Sequence, residues 1–345
     1  MNSTHRLSVR RVACSAVLLA VMLGLPAAGA GQQGKQTKGS LVLKDHGSFF
    51  IGGQTKALSP TSDITINQMY VQYDIPEGVG RHLPVVMVHG CCLSSKTWET
   101  TPDGRMGWSE YFVRQHRPVY LADQSGRARS GFDAAVFNEV RGGKVPPGSL
   151  PNTLWADHQF AWRVFRFGPS FGTAWPDTQF PVAFVDELYK QMIPDLNATL
   201  PMPNPTWANM AALGVKLGGA ILMGHSESSA FPARAALTDP AGVKGIVQLE
   251  TGCLADLTPD QYATLAKIPI LIVVGDHFDT PQPAAACQTY MSKITAAGGD
   301  ITFDNLPGLG IHGNSHMFMQ DRNNVQIADL ILAWIDGHVE GGHKK

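Results

Sequence analysis

Short, mostly apolar runs recur along the chain at Pro84 to Val88, Pro118 to Ala122, Ala220 to Met223, Gly245 to Leu249 and Ile268 to Val274. Runs this short, without polar alternation, read as strands buried on both faces. Each is separated from the next by enough chain for a helix, and that alternation implies a mostly parallel sheet covered on both faces. Ligands of such sheets bind beyond the carboxyl ends of the strands. The chemistry is therefore expected in the segments directly after the runs: His89-Gly90-Cys91-Cys92, Asp123-Gln124-Ser125-Gly126 and Gly224-His225-Ser226-Glu227-Ser228.

Upstream, Met69 to Ile75 alternates apolar and polar residues as a half-buried strand does. Leu41 to Leu43 and Ser48 to Ile51 are expected to form an opening hairpin around a turn at Asp45-His46-Gly47, and Ile301 to Phe303 is expected to be the last strand. Between Gly131 and about Pro205 the strand rhythm stops, and Trp155, Phe160, Trp162, Phe165, Phe167, Phe171, Trp175 and Phe180 fall among few charges. This stretch, at about 132–205, reads as an inserted cap whose aromatics either fill a small core of their own or wall a pocket over the strand ends.

The first thirty residues are unlike the rest. Arg6, Arg10 and Arg11 precede an uncharged run from Val12 to Pro26, followed by the small residues Ala28-Gly29-Ala30. That order is a secretory signal, and the run is shorter than the roughly 20 residues a spanning helix needs. Residues 1–30 are thus expected to be removed on export to the periplasm or the exterior, leaving a domain over 31–345 with no stable membrane anchor. A net charge of −1 supplies no field for nucleic acid. Cys91, Cys92, Cys253 and Cys287 remain after the signal, an even number bound for an oxidising compartment, and four cysteines allow three pairings.

Gly224-His225-Ser226-Glu227-Ser228 lies between a buried strand and a helix-like run, the setting of a nucleophile elbow. A sharp turn there lifts the serine hydroxyl clear of the sheet and requires small neighbours. Gly224 meets that need, and Ser228 stands in place of the usual final glycine as a small variant. A serine hydroxyl needs a histidine to take its proton. Sheets with such an elbow supply it last in chain order, and His312 and His316 come after the last expected strand, with His316 favoured because it immediately precedes a helix-like segment. Two carboxylates compete to orient it. Glu250 comes after the run ending at Leu249; Asp276, with Asp279 nearby, comes after the run ending at Val274, the more usual acid position. The oxyanion formed by serine attack needs backbone N–H donors, expected from Glu227 and from Cys91, with Cys92 beside it. His312, His316 and His343 lack a cysteine or carboxylate companion set at ligand spacing, so no metal is expected, and an acyl-enzyme route on serine needs no cofactor. A catalytically silent protein holding an apolar ligand under the cap, or a lactonase or peptidase on the same serine, are the competing functions.

Taken together, His89-Gly90-Cys91-Cys92, Asp123-Gln124-Ser125-Gly126-Arg127-Ala128-Arg129-Ser130, the serine elbow, Leu249-Glu250-Thr251-Gly252 and Gly313-Asn314-Ser315-His316 resemble secreted bacterial α/β hydrolases of the esterase 713 type. The resemblance spans roughly Gly47 to the final helix. It implies an α/β-hydrolase fold and a Ser226-Glu250-His316 triad whose acid lies after the sixth strand, which moves the choice from Asp276 to Glu250. It further implies bridged adjacent cysteines beside the oxyanion hole and small-molecule carboxylic esters as substrates. The pairing expected with it is Cys91 to Cys92 and Cys253 to Cys287.

Overall fold

The computed structural model describes residues 39–196 and 200–341; the signal expected over residues 1–30 lies outside them. The chain enters through a long antiparallel ribbon, β1 (Leu43–Ser59) and β2 (Ser62–Pro76). The hairpin expected at Asp45-His46-Gly47 does not form, because all three residues lie inside β1 and the chain reverses at Pro60-Thr61. β1 is the sheet edge, so its polar side chains face water and its partners come from β2: His46 sits opposite Asp74, and Phe50 packs edge-on against Tyr70. A local cluster of polar residues and glycine resembles a turn only while those cross-strand partners are out of view.

The apolar runs become β3 (Val85–Val88), β4 (Val119–Asp123), β5 (Ala220–His225), β6 (Val243–Leu249) and β7 (Ile270–Val274), with β8 (Ile301–Asn305) after them. Every residue of β3, β4, β5 and β7 is buried, which is why their sequences carry no alternation. The sheet order is β1-β2-β4-β3-β5-β6-β7-β8, with β2 antiparallel to β4 and parallel pairing from β4 to β8. This is the α/β-hydrolase fold, and β3 and β5, which carry the cysteine pair and the serine elbow, are adjacent at its centre.

The helices are α1 (Trp108–Arg114), α2 (Ala135–Arg141), α3 (His158–Val164), α4 (Val185–Tyr189), α5 (Pro205–Lys216), α6 (Phe231–Thr238), α7 (Pro259–Leu265), α8 (Ala285–Ala296) and α9 (Asn324–Trp334). Side chains of successive strand residues point to opposite faces. Val85, Met87, Val119 and Leu121 therefore pack with Trp108 and Phe112 of α1 and Ile327 and Ile331 of α9. Val86, Val88 and Ala122 pack on the other face with Met210 of α5, Ala233 of α6, Leu265 of α7 and Tyr290 of α8. Among the described residues no helix is long and apolar enough to cross a membrane.

The irregular stretch between β4 and α5 carries α2, α3 and α4. Its aromatics divide in a way that its composition does not show. Trp162, Phe165, Phe167 and Phe180 are buried in the same core as the sheet, while Trp155 and Phe171 stand exposed. Of the two readings of these aromatics, a small core of their own does not hold for those four rings, which belong to the same core as the sheet.

Candidate active site

Ser226 comes directly after β5 at φ 57°, in the left-handed region that a residue with a Cβ enters only where surrounding structure holds it. Two glycines make the turn possible. A Cβ at Gly224 would stand 2.0 Å from the Ser228 carbonyl oxygen, and one at Gly90 would stand 2.8 Å from the Ser226 Cβ. Ser228 does more than stay small. Buried at the base of the elbow, its Oγ accepts the His225 N–H at 3.0 Å and donates to the Val88 carbonyl at 2.9 Å, tying the turn to the end of β3.

His316 arrives on the loop after β8, and Asp321 shapes that loop. The Asp321 carboxylate accepts the Ser315 N–H at 2.8 Å, the Ser315 hydroxyl at 2.7 Å and the Asn314 side-chain amide at 3.0 Å. Burial pushes the Asp321 carboxyl up to about 6, against those hydrogen bonds. The His316 N–H donates to the Phe165 carbonyl at 3.0 Å, its own carbonyl accepts from His225 Nε2 at 2.8 Å, and Phe165 stacks on its ring at 5.6 Å. The backbone of His316 is thus tied at both its polar groups, and its ring is stacked on one face. Its Nε2 lies 2.7 Å from Ser226 Oγ and its Nδ1 lies 2.9 Å from Glu250 Oε2.

Glu250 begins just beyond β6, and its N–H donates to the Val273 carbonyl of β7 at 2.8 Å. Its side chain is almost wholly enclosed. Oε1 accepts the Gly275 N–H at 2.8 Å, and Oε2 also makes an ion pair with Arg166 Nη2 at 2.7 Å. Burial alone raises a carboxyl, but Arg166, His316 and the Gly275 N–H outweigh it and hold Glu250 at about 2. For His316 burial lowers the imidazole, Glu250 raises it and Arg166 lowers it again, with a net position below 6.5. His225 is pushed down to about 3, first by burial and then by His316.

Asp276, the other carboxylate considered, does not meet His316. Its oxygens accept the Gly313 N–H at 3.0 Å and the His277 N–H at 2.7 Å, and one lies 3.5 Å from the exposed His312. It anchors the start of the histidine loop. His312 itself is outside the Ser226–Glu250 cluster.

The structure joins Cys91 to Cys92 and Cys253 to Cys287. Cys91 is next in the chain after Gly90, whose Cα faces Ser226, and Cys92 adopts φ 62° with its carbonyl accepting the Ile193 N–H at 2.9 Å. Beneath this loop lies Arg127, fully buried in its side chain. Arg127 pairs with Glu227 at 2.7 Å and Asp195 at 2.5 Å and also donates to the Gly90 carbonyl at 3.3 Å. One guanidinium therefore links the residue after Ser226 to the residue before Cys91. Gln124 donates to the His89 carbonyl at 2.6 Å in the same layer.

Sequence reasoning did not single out Arg166, Asp195 or Asp321, and quoted Arg127 and Gln124 without giving them a role. A signal existed for Arg166: a cation inside an aromatic, charge-poor run, Phe165-Arg166-Phe167, needs a buried anion nearby. No comparable signal marks Asp195 or Asp321.

No family model matches the chain. A solved structure described as the atomic-resolution structure of a novel bacterial esterase is 46% identical, covers 87% of this chain and 98% of its own, and superposes with a TM-score of 0.82. The probable secreted lipase phiG of Fungal sp. (strain ATCC 74256) is 25% identical over 346 residues, 83% of this chain and 88% of the lipase.

Proposed function

Since this chain belongs to the esterase family of α/β hydrolases and is a carboxylic-ester hydrolase, we propose that it works through an acyl-enzyme on Ser226, with His316 as the proton-transferring base and Glu250 as the carboxylate that orients it. The observation that carries this reading is the unbroken relay from Ser226 Oγ to His316 Nε2 at 2.7 Å and from Nδ1 to Glu250 Oε2 at 2.9 Å. Neutral His316 takes the hydroxyl proton as Oγ attacks the ester carbonyl, and ionised Glu250 stabilises the imidazolium that results. The oxyanion falls to the backbone N–H groups of Glu227 and Cys91, with Cys92 beside them, all preorganised by the Arg127 link and the joined cysteines. Protonated His316 then returns its proton to the departing alkoxide. Water, deprotonated by the same nitrogen, attacks the acyl carbonyl and releases the acid and free Ser226.

The stretch at about 132–205 serves in this reading as a cap, since Phe165 stacks on the base and Arg166 reaches the acid. It shapes the pocket for a small-molecule ester. Export to the periplasm or the exterior is supported by the name of the secreted lipase relative and by the joined cysteines.

The test is labelling with a serine-directed alkyl phosphonate and then peptide mass spectrometry. The adduct is expected on the peptide containing Ser226, and Ser226→Ala is expected to lose labelling and at least about 10⁴-fold in kcat/KM while keeping its thermal transition. An adduct on another serine, or near wild-type turnover by Ser226→Ala, overturns the assignment.

A further inference from the structure

Ester hydrolysis by serine, histidine and carboxylate does not call for a cation at the acid, yet Arg166 stands there. Glu250 Oε1 is taken by the Gly275 N–H, so Oε2 alone is hydrogen-bonded to His316 Nδ1 at 2.9 Å and ion-paired with Arg166 Nη2 at 2.7 Å. The guanidinium is permanently charged, and its Nη1 stands 3.3 Å from Nδ1, beside the imidazole edge. It is also firmly seated. Its backbone sits at φ 57°, its Nε donates to the Asp276 carbonyl at 2.7 Å, and its guanidinium lies over the Phe278 ring at 4.0 Å.

We infer that Arg166 is a positioning residue that extends the working range of this esterase to lower pH, by sharing the Glu250 carboxylate with the imidazolium that His316 becomes. This rests on the triad reading above. An imidazolium beside an unshared carboxylate is strongly favoured; beside a carboxylate already neutralised by a guanidinium it is favoured less, so the base stays free of its proton further into acid. The site is enclosed, so solvent and salt do little to weaken the effect.

The other groups around His316 do not supply the same charge. From the end of β5, His225 lies 4.8 Å away ring to ring and is buried as the neutral form, donating to the His316 carbonyl. Ser226 is uncharged, and Phe165 presents an apolar ring. The Asp276 carboxylate, from the loop after β7, is turned to Gly313 and His277, and meets Arg166 only through its carbonyl. His277 is paired with Asp177 at 3.0 Å. Within the loop of His316 itself, Asp321 is turned to Ser315 and Asn314. Among the described residues, Arg166 is the cation in direct contact with both members of the acid–base pair.

A purely structural role, pairing a buried carboxylate, makes a different prediction from a role in the titration of His316. The experiment is the pH profile of kcat/KM on a soluble ester for wild type, Arg166→Gln and Arg166→Lys, each with a thermal transition recorded. In folded Arg166→Gln the acid limb is expected to move to higher pH, and in Arg166→Lys, which retains a cation, to stay close to wild type. An Arg166→Gln limb that coincides with wild type or moves to lower pH overturns the inference. If Arg166→Gln does not fold, Arg166→Met, of similar length and without charge, takes its place with the same two outcomes: an acid limb moved to higher pH supports the inference, and an unmoved limb overturns it. Ser226→Ala in the same assay separates the two levels. Retained turnover there removes the triad reading, whereas an inactive Ser226→Ala with an unmoved Arg166→Gln limb removes the role of Arg166 alone.

Discussion

Replacing Glu250 with glutamine tests the acid by changing charge while leaving shape. The Gly275 N–H at 2.8 Å from Oε1 demands an acceptor, so the amide oxygen is expected to stay there and the amide nitrogen to take the place of Oε2. That nitrogen then faces His316 Nδ1, the donor of the wild-type bond, and the cationic Arg166 Nη2. Imidazole can relieve the clash only by moving its proton to Nε2, which leaves an N–H rather than a lone pair against Ser226 Oγ. The wrong tautomer and the missing charge together are expected to cost about 10⁴-fold in kcat/KM, or roughly 5 kcal/mol of transition-state stabilisation. Asp276→Asn, whose carboxylate bonds only the start of the histidine loop and the neighbouring backbone, is expected to cost less than about tenfold. Hydrolysis of a 4-nitrophenyl ester, beside urea unfolding of each variant, measures both. Glu250→Gln within tenfold of wild type, with a thousandfold loss in folded Asp276→Asn, refutes the reasoning and returns the acid to the end of β7.

The same geometry carries two further outcomes. Neutral His316 is the active form and burial lowers its imidazole below 6.5, so kcat/KM is expected to fall as pH drops through a midpoint on the acid side of that value; a midpoint above it contradicts the placement. Ser228→Ala strips the His225 N–H and the Val88 carbonyl of a buried partner, which is expected to destabilise the fold by about 1–3 kcal/mol. This is read as a lower urea midpoint at unchanged slope, and an unchanged midpoint shows that Ser228 serves only by being small.

Val85 to Val88 and Ile270 to Val274 announce buried parallel strands because a strand covered on both faces has no polar side to display. The elbow is equally local: Gly224 and Ser228 flank Ser226 because strand and helix must close within a few residues, and those residues are neighbours in the chain. The sequence by itself therefore determined the sheet, the turn that presents the serine, and a histidine loop placed last. It did not determine β1, where an exposed edge strand looks polar enough for a turn until Asp74 and Tyr70 are set opposite it. Nor did the residues alone choose between Glu250 and Asp276, since both end a buried strand; resemblance to a family pointed to Glu250, and a physical ground came only with distance. The 66 positions between Glu250 and His316 and the 150 between Arg166 and His316 are closed by the sheet order and by the stretch that crosses it. A cation in an aromatic run such as Phe165-Arg166-Phe167 shows that a partner is needed but does not name it, because Coulomb contact depends on position in space, and only the packed structure brings Arg166 and His316 to one oxygen of Glu250.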